Sequence, residues 1–160
     1  MTSPYVKADH SSLAMPNVAF TELMAAVLDK GVPFRFQASG SSMSPFIRDG
    51  DVLTIAPARV RLGDVVGFVS PRGGKLVVHR VVCISRGGYF IKGDNASESD
   101  VHVPPPKILG RVVRVEHRGN RVPLGLGIER VAIAFLSRRG WLIPAVWATW
   151  CVVRPVIKRK

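Results

Sequence analysis

The rhythm of apolar and polar positions changes at Gly31. Between Asn17 and Lys30, the residues Val18, Phe20, Leu23, Met24, Val27 and Leu28 favour one side of a helix that Asn17 can cap and Gly31 can end. After Gly31 the helical spacing gives way to alternation, first in Phe34-Arg35-Phe36-Gln37-Ala38. Short apolar runs then follow at 51–55, 64–69, 76–84, 89–92 and 108–115. They are punctuated by Pro71-Arg72-Gly73-Gly74, Arg86-Gly87-Gly88 and Pro104-Pro105-Pro106. Many short strands with such breaks predict a mainly β fold, a compact coiled β-domain carrying one N-terminal helix. Helical spacing returns over 128–136, ahead of an apolar, basic tail. The expected organisation is a flexible lead over 1–16, the helix and β-domain over 17–118, and a linker with a helical tail over 119–160. Gly119, Pro123, Gly125 and Gly127 mark the linker.

Charge adds a partner to this picture. The 160 residues suit one domain, and their formal net charge of +12 favours an anionic surface, either lipid or nucleic acid. From Arg130 to Lys160 there are seven Lys or Arg and no acid, interleaved with Trp141, Trp147 and Trp150. Tryptophans beside cations at the edge of an apolar run point to a membrane interface. Nucleic acid fits less well, because the basic residues of the β-region are not interleaved with aromatics as a stacking platform requires. The charge-free run from Trp141 to Val153 falls short of the roughly 20 residues needed to cross a bilayer. The tail is therefore expected to bind an anionic membrane peripherally or as a re-entrant segment. A terminal helix packed on the protein's own core is the competing reading. Residues 1–17 lack the basic-then-apolar pattern of a secretory signal, and no amino-terminal membrane helix is expected. That leaves the membrane side open and favours the cytoplasmic face. Cys83 and Cys151 form neither a disulfide framework nor a metal-ligand spacing, and no metal or organic cofactor is expected.

The residues with chemistry lie in three stretches. Gly40-Ser41-Ser42-Met43-Ser44-Pro45, followed by Phe46-Ile47-Arg48-Asp49-Gly50-Asp51, can turn tightly and present a serine, with Met43 plugging an apolar pocket and Pro45 stiffening the exit. His79 lies in the strand-like run 75–82, where Lys75, Val77, His79 and Val81 share one face and Val78, Arg80 and Val82 the other. Asp94 and Asp100 bracket a loop that starts at Gly93. Serine, histidine and aspartate are the ingredients of nucleophilic acyl transfer: a base takes the hydroxyl proton and a carboxylate steadies the base. A neutral imidazole suits the first task at pH 7, whereas a lysine would need its pKa lowered by burial. Lys75 and Lys92 nevertheless supply a serine–lysine alternative, although solvated surface lysines are the simpler reading of both.

Taken in order, the serine box, Gly63-Asp64-Val65-Val66 leading to His79-Arg80-Val81, and Gly93-Asp94-Asn95 with Asp100 resemble the signal peptidase superfamily of serine endopeptidases, to which self-cleaving repressors are distantly related. The resemblance spans about residues 36 to 115, and His79 stands where the endoplasmic-reticulum and archaeal type has histidine and the bacterial type lysine. It implies a signal-peptidase/repressor-type coiled β-domain with a Ser-His-Asp site. Ser42, immediately before the methionine, is then the nucleophile, with Ser41 its competitor. Asp100 orients His79, and Asp94 is the second choice. The oxyanion site would use the Ser42 N–H, helped by a backbone donor or the Ser41 hydroxyl, because Gly40 occupies the place where some relatives carry a serine. The implied substrates are signal or leader peptides cut after small residues. A self-cleaving regulator is the first alternative, although the stretch ahead of the serine box has room for one helix and not for a helix-turn-helix. A non-catalytic basic β-domain that binds lipid or nucleic acid is the second.

Overall fold

The computed structural model describes residues 6–7, 17–71, 74–96 and 101–144. The order of elements is β1 (Val6–Lys7), α1 (Asn17–Asp29), β2 (Phe34–Gln37), β3 (Val52–Ala56), β4 (Val65–Val69), β5 (Leu76–Ser85), β6 (Gly88–Lys92), β7 (Val101–Val103), β8 (Ile108–His117), β9 (Asn120–Arg121) and α2 (Arg130–Arg138). The fold is mainly β, as the alternating runs predicted. Its sheet runs β1-β2-β3-β8-β4-β5-β6-β7, with β9 paired to the end of β8. Every pairing is antiparallel except β1 with β2.

Bulges coil this sheet so that its two faces enclose separate cores. Register shifts fall between Thr54 and Ile55, between Gly67 and Phe68, and between Val81 and Cys83. Each extra residue bends its strand and increases the local twist. One core gathers Phe20, Met24 and Leu28 of α1 with Phe34, Phe36, Leu53, Ile55, Val65 and Val115. The second gathers Val66, Phe68, Val81, Ile91 and Val103. Gly67 and Gly110 are register partners, and a Cβ on either would meet the Ile55 side chain at 2.7 Å. The paired glycines thus let Ile55 lie directly on the backbone of the β4–β8 ladder.

Two stretches of the expected lead and linker make contacts with the sheet. Within the 1–16 lead, Val6–Lys7 pairs in parallel with Phe34 and Arg35. The glycine-rich stretch read as a linker is fastened to the sheet: the Gly125 carbonyl accepts Arg80 Nη1 at 2.8 Å, and Arg130 Nε lies 3.2 Å from Asp64 Oδ1. α2 then lies along β5, burying Ile133, Ala134 and Ser137. The apolar tail beyond residue 144 falls outside the described residues.

Candidate active site

The serine box folds as a sequence of turns anchored on apolar plugs. Met43 and Ile47 are buried in the first core while Ser41 and Ser42 stay exposed. Turn bonds run from Ser44 N–H to the Ser41 carbonyl at 3.1 Å and from Ile47 N–H to the Met43 carbonyl at 3.1 Å. The Ser44–Pro45 peptide is cis, and Gly40 sits at φ 101°, a conformation that side-chain-bearing residues avoid. Carboxylates then pin the loop at its base. Asp49 accepts the Gly40 N–H at 2.8 Å; Asp51 accepts the Arg48 N–H at 2.8 Å and meets His117 Nδ1 at 2.5 Å. The Gly40 N–H is therefore already engaged.

His79 reaches this loop from β5. Its Nε2 lies 3.0 Å from Ser42 Oγ, the distance of a hydrogen bond through which a hydroxyl proton can pass. Phe68 flanks the imidazole, with ring centroids 6.2 Å apart. The alternation along β5 explains why consecutive residues do different work. His79 shares the face of Val77 and Val81, whereas Arg80 turns to the opposite side.

The loop after β6 closes over the serine. Asn95 N–H donates to the Ser42 carbonyl at 2.8 Å, and Asn95 Nδ2 donates to the Ser41 carbonyl at 3.3 Å. Gly93 makes this approach possible. A Cβ there would stand 2.8 Å from the Ser42 carbonyl oxygen and 3.1 Å from His79 Nε2.

Asp94, the second choice for orienting His79, is not brought to the imidazole. Its carboxylate is buried against Arg80, accepting Nε at 2.9 and 3.1 Å and Nη2 at 2.7 Å. Arg80 Nη1 adds bonds to the Gly63 and Gly125 carbonyls, at 2.9 and 2.8 Å, so the guanidinium joins three loops. Burial pushes the Asp94 carboxyl up, against the lowering pull of the Arg80 bonds and charge. Asp100, the first choice, lies outside the described residues. The structure thus unites Ser42 and His79, places Gly40, Ser41, Met43 and Pro45 in the same loop, and assigns Asp94 to a structural pair.

Beside Ser42 a cleft of about 660 Å³ runs between the end of β2 and the start of β5, lined by Phe36, Ala38, Ser42, Leu76, Val78 and His79 among others. β6 pairs with β5 only from Arg80 onward, and β1 covers only Phe34 and Arg35 of β2. Among the described residues, the strand edges at Leu76–Val78 and Phe36–Gln37 thus lack a neighbouring strand on the cleft side. Lys75 lines the cleft and is exposed, as a solvated lysine should be. Lys92 is half-buried on β6 and has Arg80 as its register partner.

Residues 6–113, which include the serine box, the histidine strand and the closing loop, match the model of the Peptidase S24-like family. The chain belongs to that family. S24-like proteins are a serine-peptidase family that embraces signal-peptidase-like enzymes, self-cleaving repressors and members without catalytic activity. No curated protein matches the chain.

Sequence reasoning missed two residues of this S24-like site. Arg80 was read as the reverse side of the histidine strand, yet it is fully buried. A lone arginine inside Val77-Val78-His79-Arg80-Val81-Val82 was the available signal, since a charge in an apolar run demands a buried partner. Asn95 holds the serine loop with its backbone N–H as well as its side-chain amide, and the first of these no side-chain pattern reports.

Proposed function

We propose that this chain is a serine endopeptidase in which His79 is the general base for Ser42. One observation carries the reading: an imidazole nitrogen 3.0 Å from a serine hydroxyl at the wall of a cleft flanked by strand edges. An extended peptide laid in the cleft would pair its main chain with the Leu76–Val78 edge and bring a carbonyl to Ser42. As Oγ attacks that carbon, its proton moves to His79 Nε2 and the carbonyl electrons move onto oxygen. Backbone donors of the serine loop, led by the Ser42 N–H, would receive the oxyanion. Collapse of the tetrahedral intermediate breaks the C–N bond, and the imidazolium returns its proton to the departing amine. Water, deprotonated by the same imidazole, then releases the acyl group and restores Ser42. Asp100 would hold the imidazole in the correct tautomer, a role that rests on its place in the Gly93-to-Asp100 motif.

Signal or leader peptides with small residues before the cut are the proposed substrates. Support comes from the histidine-type motif and from the cleft walls, where Phe36, Met43 and Val78 confine the space beside Ser42. The decisive experiment combines a fluorophosphonate probe with mass spectrometry of a peptide library. Wild type should take the label at Ser42 and cut after alanine, serine or glycine, while Ser42→Ala takes no label and cuts nothing. Equal labelling of the two proteins would overturn the enzyme reading, and spontaneous internal clipping with no library cleavage would replace it by self-processing.

A further inference from the structure

α2 is apolar on two sides, and only one of them faces the protein. Ile133, Ala134 and Ser137 are buried inward. On the outside, Val131 is 47% and Phe135 53% exposed, and in the flanking segments so are Leu124 at 60%, Ile128 at 96% and Trp141 at 56%. Ile128, Val131 and Phe135 are spaced by three and four residues, so they lie along one line of the helix and the turn that leads into it. Large apolar side chains grouped on a surface mark an interaction site, whereas single exposed ones do not.

The chemistry around the stripe selects the partner. Glu129 is the last acidic residue in the sequence, and its Oε1 is occupied by the Gly125 and Gly127 N–H groups at 2.7 and 2.9 Å. Past it come only cations, beginning with Arg130, Arg138 and Arg139. The Arg139 guanidinium stands over the Phe135 ring at 4.4 Å and the Trp141 ring at 5.5 Å. Its charge thus rests on two aromatic faces of the stripe, a cation–π contact that sets a cation beside apolar surface where a lipid phosphate could meet it. Tryptophan and arginine bordering an exposed apolar helix face match the headgroup region of an anionic leaflet.

We propose that the face formed by Leu124, Ile128, Val131, Phe135 and Trp141, rimmed by Arg138 and Arg139, docks the protein in plane on an anionic lipid bilayer. Among the described residues no helix is long and apolar enough to cross a membrane, so the contact is peripheral there. α2 also lies beyond residues 6–113, the part shared with the family, and the docking does not depend on Ser42.

Co-sedimentation of the full chain with phosphatidylglycerol vesicles and with phosphatidylcholine vesicles tests this surface. Wild type should bind the first, bind the second weakly, and lose part of the first in high salt. The pair Ile128→Glu and Phe135→Glu, and separately Arg138→Glu and Arg139→Glu, should each weaken binding by about tenfold or more. The milder pair Leu124→Ser and Val131→Ser, checked by thermal melting, covers the case in which the glutamates disturb folding. Failure of wild type to bind phosphatidylglycerol vesicles would overturn the proposal. So would undiminished binding by the folded surface variants, which would shift the contact to residues 145–160. A fall in melting temperature or a change of oligomeric state in the variants, with vesicle binding unchanged, would assign the face to the protein's own tail or to a second copy.

Discussion

The backbone N–H of Asn95 donates to the carbonyl of Ser42 at 2.8 Å, so Ser42 is fixed from its carbonyl side by one loop while β5 supplies the imidazole on its hydroxyl side. Two elements that are distant in sequence thereby set one dihedral environment. The serine does not depend on its own turn alone for position.

Gly93→Ala tests that arrangement with a single methyl group. The new Cβ would meet the Ser42 carbonyl oxygen at 2.8 Å and His79 Nε2 at 3.1 Å, and the first is backbone that must move bodily. Overpacking of this kind costs about 1–3 kcal/mol of stability. The larger effect should be on turnover, because a displacement of about 1 Å between reacting groups can cost about a hundredfold in rate. Peptide cleavage should fall steeply while the melting curve shifts by a few degrees. Unaltered kcat in Gly93→Ala would show that the loop does not position the serine.

The Arg80–Asp94 pair is expected to govern stability and not chemistry. Both side chains are fully buried, and removal of either partner strands the other charge. Asp94→Ala and Arg80→Met should each cost about 3–5 kcal/mol in urea unfolding, and the double variant should cost less than the sum of the two. At temperatures where the single variants remain folded, fluorophosphonate labelling of Ser42 should persist. Loss of labelling in a folded Asp94→Ala protein would return Asp94 to the catalytic group.

Much of this was legible because alternation and punctuation are local signals. The helix from Asn17 and the strands around Phe34, Val52, Val65, Leu76, Tyr89 and Ile108 were visible as periodic runs. The short strands Val6–Lys7, Val101–Val103 and Asn120–Arg121 were not, since two or three residues carry no period and owe their pairing to the neighbour they meet. Ser42 and His79 could be paired from motif order, and the two side chains stand 3.0 Å apart. Asp94 could not be assigned that way. Its partner, Arg80, is adjacent to His79 in sequence, and only the pleat of β5 decides which of the two the carboxylate meets. The fastening of Gly125 was likewise hidden, because glycine-rich stretches read as linkers unless a distant donor is known to reach them.

The choice of base can be decided by comparing histidine with lysine. His79→Ala should abolish cleavage and Ser42 labelling, since no other group is expected to take the hydroxyl proton. Lys75→Ala should retain most activity, because the Lys75 side chain stands in solvent at the cleft rim. The reverse order, with Lys75 essential and His79 dispensable, would place this chain with the serine–lysine mechanism.

Acid should destabilise the fold through the turn that leads into α2 and not through the buried pair. Glu129 is held below the usual carboxylate range, chiefly by its own backbone N–H and further by those of Gly127 and Gly125, with burial opposing. A carboxylate depressed in the folded state adds stability above its unfolded pKa, and that contribution fades as pH falls through the folded value. The Asp94 carboxyl, raised mainly by burial, has the opposite sign: its contribution is fullest below the unfolded pKa and declines as pH rises through the folded one. Glu129→Gln should therefore flatten the acid limb of the melting-temperature profile, and Asp94→Asn should not. The acid-sensitive region should be the Gly125–Glu129 turn, whose Gly125 carbonyl also receives Arg80 Nη1, and the protection of the Gly125 and Gly127 amides relative to their intrinsic exchange should fall there first. An acid limb equally steep in wild type and Glu129→Gln would remove Glu129 from that role.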